Sequence, residues 1–249
     1  MASVKKTSAS ARIASSDAAA FALAASAPPP VDAAPATIAI QLAARIAQRI
    51  IDGDYAPGSN LREIPLADAF QVGRSSVREA LRILERDGVV RIEPRYGASV
   101  TRLSTDELVE VYQVRSVLLG LAMGMFCSAC DDAQVRWLET RYREMSSIKS
   151  DDQHQAAARH AEISAGMARF IFNGSGNQLL IQLLSRMSLQ IARYTLVGLS
   201  APRRRAQSCS TWGQVIAALQ ARDAKAADRC GRKLVRDNLR FALSRIAAA

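Results

Sequence analysis

Two histidines in 249 residues leave little for metal or acid–base chemistry, because imidazole is the commonest metal ligand and the side chain that titrates nearest neutral pH. Four cysteines, Cys127, Cys130, Cys209 and Cys230, are too few and too scattered for a disulfide framework, so a reducing cytoplasm is the expected compartment. Aromatic residues make up only 5% of the chain. It contains no Gly-rich phosphate loop, no G-x-S-x-G elbow and no histidine–carboxylate cluster at catalytic spacing, which argues against an enzyme. No stretch reads as long and apolar enough to span a bilayer, so no membrane partner is expected.

What is present points elsewhere. A hydrophobic share of 49% with only 13 Gly and 8 Pro describes packed globular structure, and the length suits two modest domains. A net charge of +10 and a pI near 10.0 suit an anionic partner, nucleic acid or an acidic membrane surface. The excess is spread as +1 over residues 1–36, +2 over 37–102 and +7 over 103–249. Charge alone therefore does not locate a nucleic-acid site. The C-x-x-C spacing of Cys127 and Cys130 lies in an apolar helical run without a second pair or a nearby histidine. Buried core thiols are the expectation there, with a metal or redox role as the alternative.

Residues 1–36 combine Lys5, Lys6 and Arg12 with AAAFALAASA and end near a triple proline. A short signal peptide would share these features, but the apolar run is alanine-dominated and preceded by Asp17. A disordered Ala/Ser/Pro-rich tail is the preferred reading.

From residue 37 the pattern changes. Ile38, Leu42, Ile46 and Ile50 recur at four-residue intervals, predicting an amphipathic helix stopped by Gly53 and the Pro57-Gly58 turn. LREIPLADAF supplies a second short helix, QVG a tight turn, and RSSVREALRILERDG a third helix closed by Gly88. VVRIEP and GASVTRL alternate apolar with polar residues and predict a two-stranded hairpin. Three helices and a hairpin over residues 37–102 make a winged helix-turn-helix. From 103 to 249 strand signals vanish, and about six helices are expected, covering roughly 104–129, 131–149, 152–172, 177–199, 211–222 and 223–246. The SAPRRRAQS stretch reads as an exposed loop carrying Arg203, Arg204 and Arg205. The predicted fold is thus mainly α: an N-terminal winged helix-turn-helix over 37–102 followed by an all-helical domain over 103–249.

The third helix carries Arg74, Arg78, Arg82 and Arg86 at four-residue spacing beside an apolar stripe of Val77, Ala80, Leu81 and Leu84. Its first turns, with Arg74, Ser75, Ser76 and Arg78, are the part of a recognition helix that points at base edges, and the arginine fork matches guanine O6 and N7. The alternative is a solvated face with Glu79 and Glu85 interleaved as surface ion pairs. The surrounding turn and wing favour DNA.

Y-x-P-G-x-x-L-x-E at 55–63, V-G-R-S-S-V-R-E-A-L-R-x-L-E-x-x-G-V-V at 72–90 and P-R-Y-G-x-x-V at 94–100 resemble the N-terminal domain of GntR-family transcription regulators. The resemblance implies DNA contacts from Arg74, Ser75, Ser76, Arg78 and Arg82, and from Arg95, Tyr96 and Gly97 at the wing. Many relatives carry arginine where this chain has Ile64, which removes one contact and leaves Arg62 as its substitute.

ELVEVYQVRSVL at 107–118, GSGNQLLIQLL at 174–184 and VIAALQARDAKAADR at 215–229 resemble the helical FCD domain of the FadR-like subgroup. That resemblance implies a cavity in which an Asp and three His hold a divalent metal beside an organic-acid effector. In this chain the ligand positions fall on Ser164, Ala168, Trp212 and Leu234, or on Lys233 if the spacing slips by one, and none of these binds such a cation in place of carboxylate or imidazole. No metal and no cofactor is expected. His160 shares a helical stripe with Ser164 and Ala168, either facing an effector carboxylate or lying as a polar residue at the helix surface; His154 is expected to be exposed. Arg115 is the expected carboxylate clamp, with an interhelical ion pair as alternative. Trp212 offers an aromatic wall, with core packing as alternative. The reading is a homodimeric regulator, most simply a repressor, of a palindromic double-stranded operator, controlled by a small organic acid, aromatic acids included. Its rival is a ligand-independent, architectural DNA binder with a decayed cavity.

Overall fold

The structure, a computed structural model, describes residues 37–247. The 1–36 tail, with the choice between signal peptide and disordered segment, lies outside the described residues. The chain divides into two compact units, the first made of the residues up to Arg102 together with Ser188–Gln190, the second of Leu103–Met187 and the residues from Ile191 on.

The first unit opens with α1 (Ile38–Ile51), whose first turn is capped by the Thr37 hydroxyl accepting the Ile40 N–H. Leu42, Ala43, Ile46, Ala47 and Ile50 are buried along one face. After the Pro57-Gly58 turn comes β1 (Asn60–Leu61), then α2 (Glu63–Phe70) and α3 (Arg74–Arg86). Gln71, in left-handed conformation at φ 55°, ends α2, and Gly73 starts α3 two residues later. This is the tight turn of a helix-turn-helix. Val77, Ala80, Leu81 and Leu84 of α3 join Leu42, Ile46, Leu66 and Phe70 in one core, so the apolar stripe does what its spacing predicted. Gly88, at φ 75°, takes the left-handed position just past α3, where a β-carbon is strained.

The wing is β2 (Val90–Glu93) and β3 (Gly97–Val100), antiparallel with Val90 opposite Val100 and Glu93 opposite Gly97. It is three-stranded rather than two-stranded, because β1 pairs with the outer side of β3, Asn60 opposite Ser99 and Leu61 opposite Ala98. Two residues are too short for an alternating pattern to show in the sequence.

The second unit contains six helices among the described residues: α4 (Thr105–Ala129), α5 (Asp132–Ser146), α6 (Gln153–Asn173), α7 (Gln178–Gly198), α8 (Pro202–Gln220) and α9 (Ala224–Ile246). Ser104 with Glu107 and Asp131 with Gln134 form reciprocal capping boxes, and Asp152, Asn177 and Asp223 cap the starts of α6, α7 and α9. α4 and α9 pack along each other at closest approach through glycines. A β-carbon on Gly231 would lie 2.8 Å from Met123 Sδ and 3.1 Å from Gly120 Cα.

Three expectations need correction here. α4 is, by length and composition alone, long and apolar enough to cross a membrane. Its apolarity serves the core of this unit, where Leu108, Tyr112, Leu119, Met123, Phe126 and Cys127 are buried. The SAPRRRAQS stretch is not a loop: Pro202 occupies the first turn of α8, where its missing N–H costs nothing, and the arginines that follow are helical. α5 stops at Ser146, about a turn before Lys149. Cys127 and Cys130 are buried free thiols whose acidity is weakened chiefly by burial, even though Arg222 Nη1 lies 2.9 Å from Cys130 Sγ.

A candidate DNA-facing helix and a buried cationic cluster

In the first unit α3 buries one side in the core, which leaves the arginine ladder outside. Arg74, Ser75, Arg78, Arg82 and Arg86 are exposed, and Ser76 is half-buried. Arg78 is held in a fixed pose. Its Nε donates to Glu63 Oε1 at 3.0 Å and its Nη2 to Glu63 Oε2 at 2.8 Å, a bidentate pair from α3 to the first residue of α2. The Arg78 guanidinium in turn holds the Glu63 carboxyl below its ordinary range. Glu63 is the acid that closes the motif at 55–63, but it lies fifteen residues before Arg78, and no helical periodicity links the two. The proposed Glu85 ion pair gives way to a different bond, in which Glu85 Oε1 accepts the Ile92 N–H and ties α3 to β2.

Arg62 is exposed at the N-cap of α2, beside Ile64, which is also exposed. Arg95 and Tyr96 form the turn between β2 and β3, with Arg95 at φ 71° and Gly97 at φ 85°. Tyr96 is 82% exposed, the most exposed large apolar residue among those described. Such a ring at a wing tip has nothing in its own unit to pack on.

In the helical unit the effector residues of the sequence reading are distributed differently from expectation. Trp212 is buried, and its indole N–H donates to Ser164 Oγ at 2.9 Å, so two positions expected to line a cavity separately are bonded to each other. Arg115 is buried on α4 and donates from Nη1 to the Leu184 carbonyl of α7 at 3.2 Å. Burial pulls its guanidinium down to about 10. Next to it the Tyr112 hydroxyl donates to Asn238 Oδ1 at 2.9 Å, and burial pushes that phenol up to about 12.

His160 is not at the helix surface: it is 1% exposed, and its Nε2 has no hydrogen-bond partner among the described residues. Burial, and then the positive charges of Arg205 and Arg204, push its imidazole down to about 4. His154 is exposed. Arg204, expected on an exposed loop, is 3% exposed, and its Nε is likewise without a partner. Burial lowers its guanidinium, and attraction from Asp237 and Tyr112 only partly offsets this. Arg205 is occupied instead, donating to the carbonyls of Leu199 and Ser200 and to Gln153 Oε1.

The positions implied to hold a metal do not fit one. Ser164 is bonded to Trp212, Ala168 is buried and apolar, and Lys233 is a cation paired with Asp237. Among the described residues no three His, Cys, Asp or Glu side chains converge on a common point.

Residues 38–100 match the model of "Bacterial regulatory proteins, gntR family" and residues 110–237 that of the FCD domain. The chain is 33% identical over 105 residues to the "Uncharacterized HTH-type transcriptional regulator YdhC" of Bacillus subtilis, covering 42% of this chain and 47% of that one. It is 41% identical over 83 residues to the "Gluconate operon transcriptional repressor" of Bacillus licheniformis, covering 33% of this chain and 34% of that one. These matches span less than half of either relative. Among solved structures, Escherichia coli McbR/YncC has the same fold, with a TM-score of 0.71 at 16% identity, over 85% of this chain and all of that one. The chain belongs to the GntR family of bacterial regulatory proteins and carries an FCD domain behind its winged helix.

Proposed function

We propose that the chain is a repressor that binds a palindromic operator as a homodimer in the cytoplasm and leaves it when a small organic acid binds the helical domain. On this reading α3 enters the major groove. Arg74 and Arg78 reach base edges or phosphates, Ser75, Ser76 and Arg82 flank them, and Arg62 with the wing residues Arg95, Tyr96 and Gly97 contacts the backbone or minor groove. The observation that carries the DNA part is the outward row of Arg74, Ser75, Arg78 and Arg82 on a helix whose other face is core. The acid acts only through its difference in affinity between the DNA-bound and free arrangements. It sits among Arg115, His160, Ser164 and Trp212, with Arg204 added by the geometry.

The test is to select an operator from random duplexes with the full chain, then titrate that operator and a scrambled duplex. A regulator gives a specific-to-non-specific ratio of roughly a thousandfold or more and a loss of binding with certain acids. An architectural binder gives a ratio near one and no response to any acid.

A further inference from the structure

Buried polar side chains in folded proteins are almost always partnered, and those that are not call for a ligand, an ion or a strain. Beyond the DNA surface, two unpartnered groups fall in one region of the helical unit. α6 and α8 run in the same direction there, since Arg205 bonds Gln153 and, further along both helices, Trp212 bonds Ser164. One turn before Ser164 on α6 is His160. One and two turns before Trp212 on α8 are the buried Ser208 and Arg204. The same step along each helix sets His160 level with Ser208, and Arg204, one turn further back on α8, is near enough for its charge to act on the imidazole, so the bare His160 Nε2 and the bare Arg204 Nε lie in one stretch of the α6–α8 seam.

The charges that act on the His160 imidazole are positive. From α8, Arg204 and Arg205 face the imidazole. From α5, Glu144 and Arg141 are engaged with each other and with Arg159, and Arg159 with Glu162, along the neighbouring side of α6. From α4 the nearest titratable groups are Tyr112 and Arg115, of which Tyr112 acts on Arg204. Asp237 of α9 attracts Arg204 from beyond ion-pair distance and is bonded to Lys233. No carboxylate among the described residues pairs with Arg204 or His160.

We propose that Arg204 and His160 form a clamp for a single carboxylate group and that His160 takes up one proton from solvent as the carboxylate enters. This inference rests on the regulator reading for its biological use but not for its chemistry. Arg204 brings a permanent charge whose fork suits a carboxylate. His160 is neutral without ligand because burial, and then the positive charges of Arg205 and Arg204, disfavour imidazolium, and an entering carboxylate supplies a compensating negative charge. No bond is made or broken except N–H at the imidazole, and the net charge of the complex is that of the free protein, since one anion and one proton arrive together. The site thus selects a carboxylic acid by its ionisable group, and binding weakens about tenfold for each pH unit of rise while one proton is taken up per ligand.

The experiment uses the full chain labelled with 15N in its two histidines, with exposed His154 as internal reference. Imidazole nitrogen shifts are followed from pH 5 to 8 with formate, benzoate or uncharged benzamide, alongside operator release by the same compounds. The expected result is that either acid, and not benzamide, converts the His160 signals to those of imidazolium near neutral pH. At each pH the His154 signals are the same with and without acid, and Arg204→Gln abolishes the response. His160 remaining neutral at saturating levels of both acids at every pH overturns the clamp. If acids nevertheless release the operator, the regulator reading survives that failure. If His160 takes up its proton while operator affinity does not move, the clamp stands and the regulator reading fails.

Discussion

Replacing Arg204 with methionine is expected to stabilise the helical domain while destroying its response to acids. The guanidinium is 3% exposed and its Nε is unpartnered. Its charged form is disfavoured, because burial outweighs attraction from Asp237 and Tyr112. A buried donor left unsatisfied costs about 1–3 kcal/mol, and methionine keeps most of the aliphatic stem, so most of that amount should be recovered. For a domain of this size, 1 kcal/mol moves the melting temperature by about 2–4 °C, so a rise of about 2–10 °C is expected. Both tryptophans, Trp137 and Trp212, lie in the helical unit, so their fluorescence reports its unfolding alone. Urea and thermal unfolding without ligand give the comparison. A variant less stable than the parent by 1 kcal/mol or more would refute the claim that Arg204 is a strained, ligand-ready cation and would make it a structural one.

Further expectations follow from the same geometry. Because the folded state holds His160 near 4, below its unfolded value near 6.5, the unfolded chain binds the extra proton between those values. Stability is therefore full above about pH 6.5 and falls as pH drops toward 4, by about 3 kcal/mol in total; His160→Gln should flatten that part of the urea-midpoint profile. Tyr112→Phe removes the donor to Asn238 Oδ1 and should cost about 1–3 kcal/mol in urea unfolding, against little change for Tyr96→Phe at the exposed wing tip. Gly231→Ala should destabilise by about 1–3 kcal/mol, because its methyl would meet Met123 and Gly120 in the α4–α9 contact. Arg74→Ala and Arg78→Ala should each weaken operator binding roughly ten- to hundredfold if they reach bases. Glu63→Gln, which releases Arg78 and removes a negative charge from the surface, should tighten scrambled DNA and lower the specificity ratio; an unchanged ratio would mean that Glu63 does not position Arg78 for reading.

The winged helix was legible because each of its signals is local: a stripe at helical spacing in α1 and α3, glycines at 58 and 88 where the backbone turns left-handed, and alternation in the wing. What escaped was set by distance. β1 has meaning only opposite Ser99 and Ala98, and Glu63 only opposite Arg78. The effector region was harder for the same reason. Arg204 looked exposed because Pro202 and the neighbouring serines resemble a loop, whereas proline in a first turn starts a helix, on which Arg204, Ser208 and Thr211 recur at three- to four-residue steps on the inward face. His160 read equally well as surface or lining, and the choice between them depended on α8, whose early start the sequence pattern hid. Arg115, chosen from its apolar surroundings as a carboxylate clamp, is buried and reaches the Leu184 carbonyl.

The measurement that bears most directly on the account is the affinity of the full chain for its selected operator, read by fluorescence anisotropy at fixed pH and salt while benzoate and other small carboxylic acids are added. The account predicts that at least one acid weakens operator binding several-fold or more, that its uncharged amide does not, and that Arg204→Gln removes the effect without changing affinity in the absence of acid. Operator affinity that no acid alters, with binding to scrambled DNA equally tight, would contradict it.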